Sequence, residues 1–150
     1  MPGPDRLTDL GRFQGKPAHF ISGAIRDSKL VSPDDRVVVL VSGGPDSVAL
    51  LLGLSDVLGT ASLIALHVNY GLRAEADQDE QLVRELCSEL GVRLEVHRAG
   101  RPAGNVQAWA RGVRLGEAEQ LREAEGMDWI AVAHNRSDQA ETFLYRLASS

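Results

Sequence analysis

The chain has 150 residues, 43% of them hydrophobic and 25% charged, with a formal net charge of −5. That length holds one domain with a real core, and the composition excludes disordered and fibrous classes. The single cysteine, Cys87, excludes an internal disulfide and any CxxC metal or redox pair. The acidic balance argues against a dedicated nucleic-acid face within this segment, because phosphate backbones want clustered Lys and Arg.

In chain order, residues 1–16 are rich in Gly, Pro and charge and read as a flexible tail. They lack a basic-then-apolar leader layout, and no run approaches a membrane span, so a cytoplasmic protein is expected. Phe20, Ile21, Ala24, Ile25 and Leu30 fall near helical spacing and predict a helix over about 17–30. Ser32-Pro33-Asp34-Asp35 breaks it. Next comes Val37–Val41, five apolar residues in a row, the pattern of a strand buried on both faces. Ser42-Gly43-Gly44-Pro45-Asp46-Ser47 follows as a glycine turn, and VALLLGL has the length and composition of a helix.

A second strand is expected over 62–69. A helix over about 75–90 follows, with Leu82, Leu86 and Leu90 every fourth residue and Gly91 where a left-handed stop belongs. The alternation in 92–97 suggests an edge strand, and a Pro/Gly loop then leads into a long helix over about 105–124, closed by Gly126. A fourth strand over 128–134 and a last helix opening near Asp138 complete the pattern.

Strands alternating with helices predict an α/β fold with a doubly wound, Rossmann-like parallel sheet. With right-handed crossovers the strand order is 3-2-1-4, and a ligand crevice opens between the carboxyl ends of strands one and four. Strand four would be left as an edge, so a further strand is expected beyond residue 150. On this view residues 17–150 are an incomplete domain and the chain is a fragment.

Four stretches carry candidate chemistry. In the glycine turn, Gly43 and Gly44 let backbone approach a phosphate, Ser42 and Ser47 offer hydroxyls, and Asp46 suits Mg²⁺. The turn is neither a Walker A loop nor GxGxxG, and as plain structure it is a turn with Asp46 at a helix start. His67-Val68-Asn69-Tyr70-Gly71-Leu72-Arg73 ends strand two beside that turn. Asn105 to Arg111, with Arg114 one turn later, opens the crossover helix, and Arg111 and Arg114 share a face. Ala133-His134-Asn135-Arg136-Ser137-Asp138-Gln139-Ala140-Glu141-Thr142 ends strand four. Asp138 and Glu141 lie three apart on one face of that last helix, with His134 at the strand tip. They could bind a cationic amine, hold Mg²⁺ with Asp46, or accept a proton; an acidic first turn is the plain alternative.

SGGPDS resembles the SGGxDS signature of the PP-loop ATP pyrophosphatases, which cleave ATP between the α and β phosphates to adenylate a substrate. HVNYGLR resembles the HVNHGLR motif of one branch, the tRNA(Ile)-lysidine synthases. NVQAWARGVRL is similar to that family's N-x-(E/Q)-x-x-A-R-x-x-R-Y, and AHNRSDQAET to its (G/A)HHxxDQAET. Tyr70 replaces a His and Leu115 a Tyr of these patterns, and the departures at Asn135 and Ser137 weaken any proposal of a histidine pair or of adjacent aspartates. The four motifs occur in the family's order from Ser42 to Thr142, about two thirds of the chain.

The resemblance implies a two-step reaction using ATP and Mg²⁺. The C2 oxygen of the wobble cytidine in tRNA(Ile) with a CAU anticodon is adenylated, and the amine of L-lysine then displaces AMP to give lysidine. It implies that Ser42, Gly43, Gly44, Pro45, Asp46, Ser47 and His67 bind ATP, and that Asp46 and Asp138 hold the metal. Asp138, Glu141 and Arg114 would bind lysine. His134 would accept a proton, and Arg111 or Arg114 would offset phosphate charge or hold the lysine carboxylate. It also implies a tRNA-binding C-terminal region outside this chain. The alternatives are another AMP-forming PP-loop ligase and a non-catalytic nucleotide-binding fragment. The oligomeric state is left open.

Overall fold

The computed structural model describes residues 22, 23, 26, 31–72, 74–100, 104–136 and 139–145, with 134–136 and 139–145 described through their backbone. The expected tail over 1–16 lies outside the described residues. Of the helix expected over 17–30, Ser22, Gly23 and Arg26 are described, and all three are helical.

The sheet is built from β1 (Val37–Leu40), β2 (Leu63–Asn69), β3 (Arg93–Arg98), β4 (Trp129–Arg136) and β5 (Gln139–Tyr145) in the order β3-β2-β1-β4-β5. β1 pairs in parallel with β2 on one side and β4 on the other, and β2 pairs in parallel with β3. The parallel part therefore has the expected order 3-2-1-4. α1 (Pro45–Leu58), α2 (Ala76–Leu90) and α3 (Val106–Glu125) connect the strands.

Side-chain alternation along β1 builds a core on each face of the sheet. Val37, Val39 and Val41 join Leu50, Leu51 and Leu54 of α1 and Val83, Leu86 and Cys87 of α2 in one cluster. Val38 and Leu40 join Ile64, Leu66, Ala118, Met127, Ile130 and Val132 in the other, against which Val113, Leu115 and Leu121 of α3 pack. The result is three layers, with β1 covered on both faces. Residues 47–54 of α1 are buried without a break. The chain near Ser22 explains part of this, since the Ser22 hydroxyl donates to Gly53 O at 3.3 Å.

Helix ends follow their sequence signals. Gly91 and Gly126 take left-handed conformations at the ends of α2 and α3. The Asn105 side chain caps α3, accepting the Ala108 amide at 3.1 Å.

Two expectations need correction. The last helix, expected from near Asp138, is the strand β5, antiparallel to β4 with Arg136 opposite Gln139 and Ile130 opposite Tyr145. Thr142, Phe143 and Tyr145 are strand formers, and β4 would otherwise present an unpaired edge. That edge, left above to a strand beyond residue 150, is taken by β5. The inward face of α2 also differs, carrying Val83, Leu86 and Cys87, while Leu82 is only half-buried.

Candidate functional site

The site is built at the carboxyl edge of the parallel sheet, where β1 gives way to its glycine turn. The Val41 amide still donates to Leu66 O at 2.9 Å, so the ladder holds until the residue before the turn. Ser47, reaching back from the first turn of α1, is the hub. Its hydroxyl accepts the amides of Ser42 (3.1 Å) and Gly43 (3.3 Å) and donates to Gly44 O at 3.0 Å. The Ser42 hydroxyl lies 3.1 Å from it and accepts the Gly44 amide at 3.3 Å.

Gly43 has φ +101°, and a Cβ there would lie 3.5 Å from the Asp79 side chain, so strain rather than space reserves the position for glycine. Gly44 stands at the N-cap of α1 and Pro45 at its first position, where a missing N–H costs nothing. The next two amides, of Asp46 and Ser47, have no acceptor within the helix. They and the positive end of the helix dipole face outward from the sheet edge, an arrangement suited to an anion. Asp46 is half-buried in this first turn.

Two clefts flank the turn. The larger, about 280 Å³, lies on the β2 side and is lined by Ser42, His67, Asn69, Tyr70, Leu72 and Asp79. The smaller, about 70 Å³, lies between β1 and β4, where Ser42, Ser47, Tyr70, Arg114 and Ala133 meet. The crevice expected between strands one and four is therefore the lesser of the pair. Ser42 and Tyr70 wall both.

His67 is buried, and its Nδ1 lies 2.7 Å from Val41 O. A carbonyl only accepts, so Nδ1 carries a proton and donates it to Val41 O. Tyr70 closes the site toward α3. Its hydroxyl donates to Ala110 O at 3.1 Å, and its ring meets Trp109 edge-on at 5.7 Å. Burial raises the Tyr70 pKa, opposed by the nearby Arg114 charge.

The two arginines part company. Arg111 is exposed, whereas Arg114 is half-buried and lines the smaller cleft. The Arg114 Nε is buried without a hydrogen-bond partner, an arrangement that native proteins seldom leave unanswered.

His134 follows Ala133 on β4, and Glu141 lies opposite it in register on β5. The shared helical face of Asp138 and Glu141 is thus not present, since Glu141 is on a strand. Asp138 lies outside the described residues.

Sequence reasoning missed Glu80. A glutamate in an amphipathic helix normally faces water, but this carboxylate is buried. Arg98 donates to both its oxygens at 3.2 and 2.9 Å, Arg84 to Oε2 at 3.0 Å, and Asn69 Nδ2 to Oε1 at 3.1 Å. The Arg98 guanidinium, and after it the Asn69 amide, hold the Glu80 carboxyl down to about 2 against the upward push of burial. Cys87 belongs to the core instead, and burial pushes its thiol up to about 11. Among the described residues no group of three or more His, Cys, Asp or Glu is placed to hold a metal ion, and no helix is long and apolar enough to cross a membrane.

Comparison with known proteins agrees with this architecture. The PP-loop domain family matches residues 17–150, and the chain belongs to that family of ATP-binding domains. The particular relatives are of one kind. A tRNA(Ile)-lysidine synthase of Clostridium acetobutylicum is 36% identical over 137 residues, covering 85% of this chain and 30% of that protein. That of Bacteroides thetaiotaomicron is 39% identical over 132 residues, covering 82% of this chain and 30% of that protein. The chain thus spans under a third of the length of these relatives. The solved U34-tRNA thiolase NcsA of Methanococcus maripaludis, which carries a [4Fe-4S] cluster, superposes with a TM-score of 0.67 at 20% identity. It covers 85% of this chain and 48% of that chain, and at that identity it shares the fold alone.

Proposed function

We propose that this chain is the ATP-binding part of a tRNA(Ile)-lysidine synthase, an AMP-forming ligase of the cytoplasm acting on tRNA(Ile) with a CAU anticodon and on L-lysine. The observation that carries this is the convergence of the glycine turn, the start of α1 and Arg114 on one sheet edge, in a chain whose named relatives are lysidine synthases. Residues 17–150 form the nucleotide-binding domain, and the tRNA grip belongs to the additional length those relatives have.

The turn from Ser42 to Ser47 cradles the phosphates through its amides and hydroxyls. His67 stands beside them in the larger cleft. Mg²⁺ fits this donor set, because it takes most of its ligands from phosphates and water and needs one or two carboxylates. Asp46, with Asp138, would hold it, and it would neutralise charge on the phosphates. Arg114, with its unanswered Nε, offsets charge at the α-phosphate or holds the lysine carboxylate.

In the first step the cytidine C2 oxygen bonds to the α-phosphorus and the bond to pyrophosphate breaks. In the second, the lysine amine bonds to C2, the C2–O bond to AMP breaks, and the amine proton passes to His134, imidazole being the side chain that ordinarily exchanges protons near neutral pH. Asp138 and Glu141 place the lysine ammonium.

The test is release of AMP and pyrophosphate from ATP with Mg²⁺, L-lysine and tRNA(Ile). It is run with this chain and with a chain lengthened to the span of its relatives. The expected result is turnover that requires both lysine and tRNA and is lost in Asp46→Asn. Turnover in neither chain, or turnover indifferent to Asp46→Asn, overturns the proposal. AMP formation that ignores lysine but responds to another nucleophile points to a different PP-loop ligase. Binding of a non-hydrolysable ATP analogue with both chains inert points to a non-catalytic module.

A further inference from the structure

Glu80 touches neither cleft, yet its contacts lead to the wall they share. The Asn69 side chain stands between them. Its Nδ2 donates to Glu80 Oε1 at 3.1 Å and to Asp77 Oδ1 at 2.9 Å, which uses both amide hydrogens. Its Oδ1 is then oriented to accept the Gly71 amide at 2.9 Å, and its backbone carbonyl accepts the Ala99 amide at 2.9 Å. Gly71 takes φ +67°, so the chain turns sharply here, and that turn is held by a side chain rather than by a strand partner. Tyr70, inside the turn, lines both clefts and bonds Ala110 on α3, one turn before Arg114.

Arg98, at the end of β3, and Arg84, on α2, converge on Glu80 and fix its carboxylate from the far side. Arg98 is 70% exposed and Glu80 only 7%, so solvent-facing cations hold a buried anion in place. Three elements (α2, the exit of β2 and the end of β3) are tied at one carboxylate. Glu80 and Asn69 are both buried, and a buried polar pair whose hydrogen bonds are met specifies one arrangement of the groups it joins.

We infer that Glu80 is a positioning residue. Acting through Asn69, it holds the Tyr70–Leu72 turn as the wall of the nucleotide clefts and, through the Tyr70–Ala110 bond, sets the approach of α3. No reacting group touches it. The affinity readout below rests on the nucleotide assignment proposed above, and the exchange readout does not.

The experiment uses this chain and four variants. Glu80→Gln and Asn69→Ala, with their double, probe the network. Glu119→Gln is the control, because Glu119 makes a comparable pair with the buried Arg122 away from both clefts. Amide hydrogen exchange at Gly71 and calorimetric titration with a non-hydrolysable ATP analogue are measured on each. Glu80→Gln is expected to speed Gly71 exchange about tenfold, and Glu119→Gln to leave it unchanged. Analogue affinity is expected to fall about tenfold in Glu80→Gln, and the double variant to bind no worse than Asn69→Ala alone.

Unchanged Gly71 exchange in Glu80→Gln overturns the inference whatever the nucleotide does, as does an equal effect from Glu119→Gln. If the wild-type chain binds no analogue, the nucleotide assignment fails and the exchange result still decides the role of Glu80. Should Glu80→Gln not fold, Arg98→Gln removes two of the bonds to Glu80 from the surface. It is expected to speed Gly71 exchange by a smaller factor, and no change there overturns the inference.

Discussion

The two edges of the parallel sheet answer their polar groups differently. At the amino edge Asp35, Arg36, Arg93 and Asp128, beside the strand starts, each have a partner within the fold. Asp35 accepts the Ser32 amide at 2.8 Å and the Trp129 indole at 2.9 Å. Asp128 accepts the Arg36 amide at 2.9 Å, and Arg36 donates to Glu125 O at 3.2 Å. Arg93 bridges Glu95 and Glu125 at 2.8 Å each. At the carboxyl edge, Arg114 Nε is buried without a hydrogen-bond partner and the first amides of α1 have no acceptor within the helix. The amino edge spends its polar groups on the fold. The carboxyl edge leaves Arg114 Nε unanswered, near a Glu80 carboxylate that Asn69, Arg84 and Arg98 all bond.

This contrast can be broken by mutation, and the largest effect is expected at Asp46. Asp46→Asn should lower AMP formation by about a hundredfold or more, measured as turnover, with the melting temperature little changed. Arg114→Ala should lower turnover about tenfold, roughly 1.4 kcal/mol, while leaving stability unchanged or slightly raised, because no hydrogen bond to Nε is lost. Arg111→Ala, at an exposed position one turn earlier, should behave like the wild type in both assays. Equal losses at the two arginines would remove the distinction drawn from their burial.

The amino edge should show the reverse. Arg122→Ala strips a buried guanidinium that donates to Glu119 and to Met127 O, and should cost about 1–3 kcal/mol in denaturant unfolding. Affinity for an ATP analogue should not change. The smallest effect is one of pH. The Glu80 carboxyl lies at about 2 when folded against an ordinary 4.5, so its contribution to stability is complete above about 4.5 and is lost as pH falls through 2. Glu119 and Glu125 are also lowered by their arginines and titrate in the same direction. The difference in unfolding free energy between the wild type and Glu80→Gln isolates the one group. It should narrow as pH falls from 4.5 toward 2, and a difference that stays constant would contradict the assignment.

Much of this edge was legible in the residues. An apolar run broken by Ser42-Gly43-Gly44 locates β1, the turn and α1 because burial, backbone freedom and helix start are each encoded locally. The order 3-2-1-4 follows from alternating strands and helices and the handedness of their connections. Glu80 was not legible, because its burial depends on Arg98 and Asn69, which arrive from other elements. Nor could Arg111 and Arg114 be separated by spacing alone, since three residues on a helix leave them on adjoining stripes, and packing against Tyr70 and the sheet decides which is covered. The stretch after β4 carries both helix formers and strand formers, and the free edge of β4 decides for the strand β5. Glu141, expected on a helix, thereby lies on a strand opposite His134.

The most direct test of the division between the two edges is a titration of the ¹⁵N-labelled chain with a non-hydrolysable ATP analogue and Mg²⁺, followed amide by amide. Saturable shifts are expected at Ser42, Gly43, Gly44, Asp46 and Ser47, with Arg36, Asp128 and Trp129 unmoved. Shifts centred on the amino edge, or none at the Ser42–Ser47 turn at saturating analogue, would contradict that division.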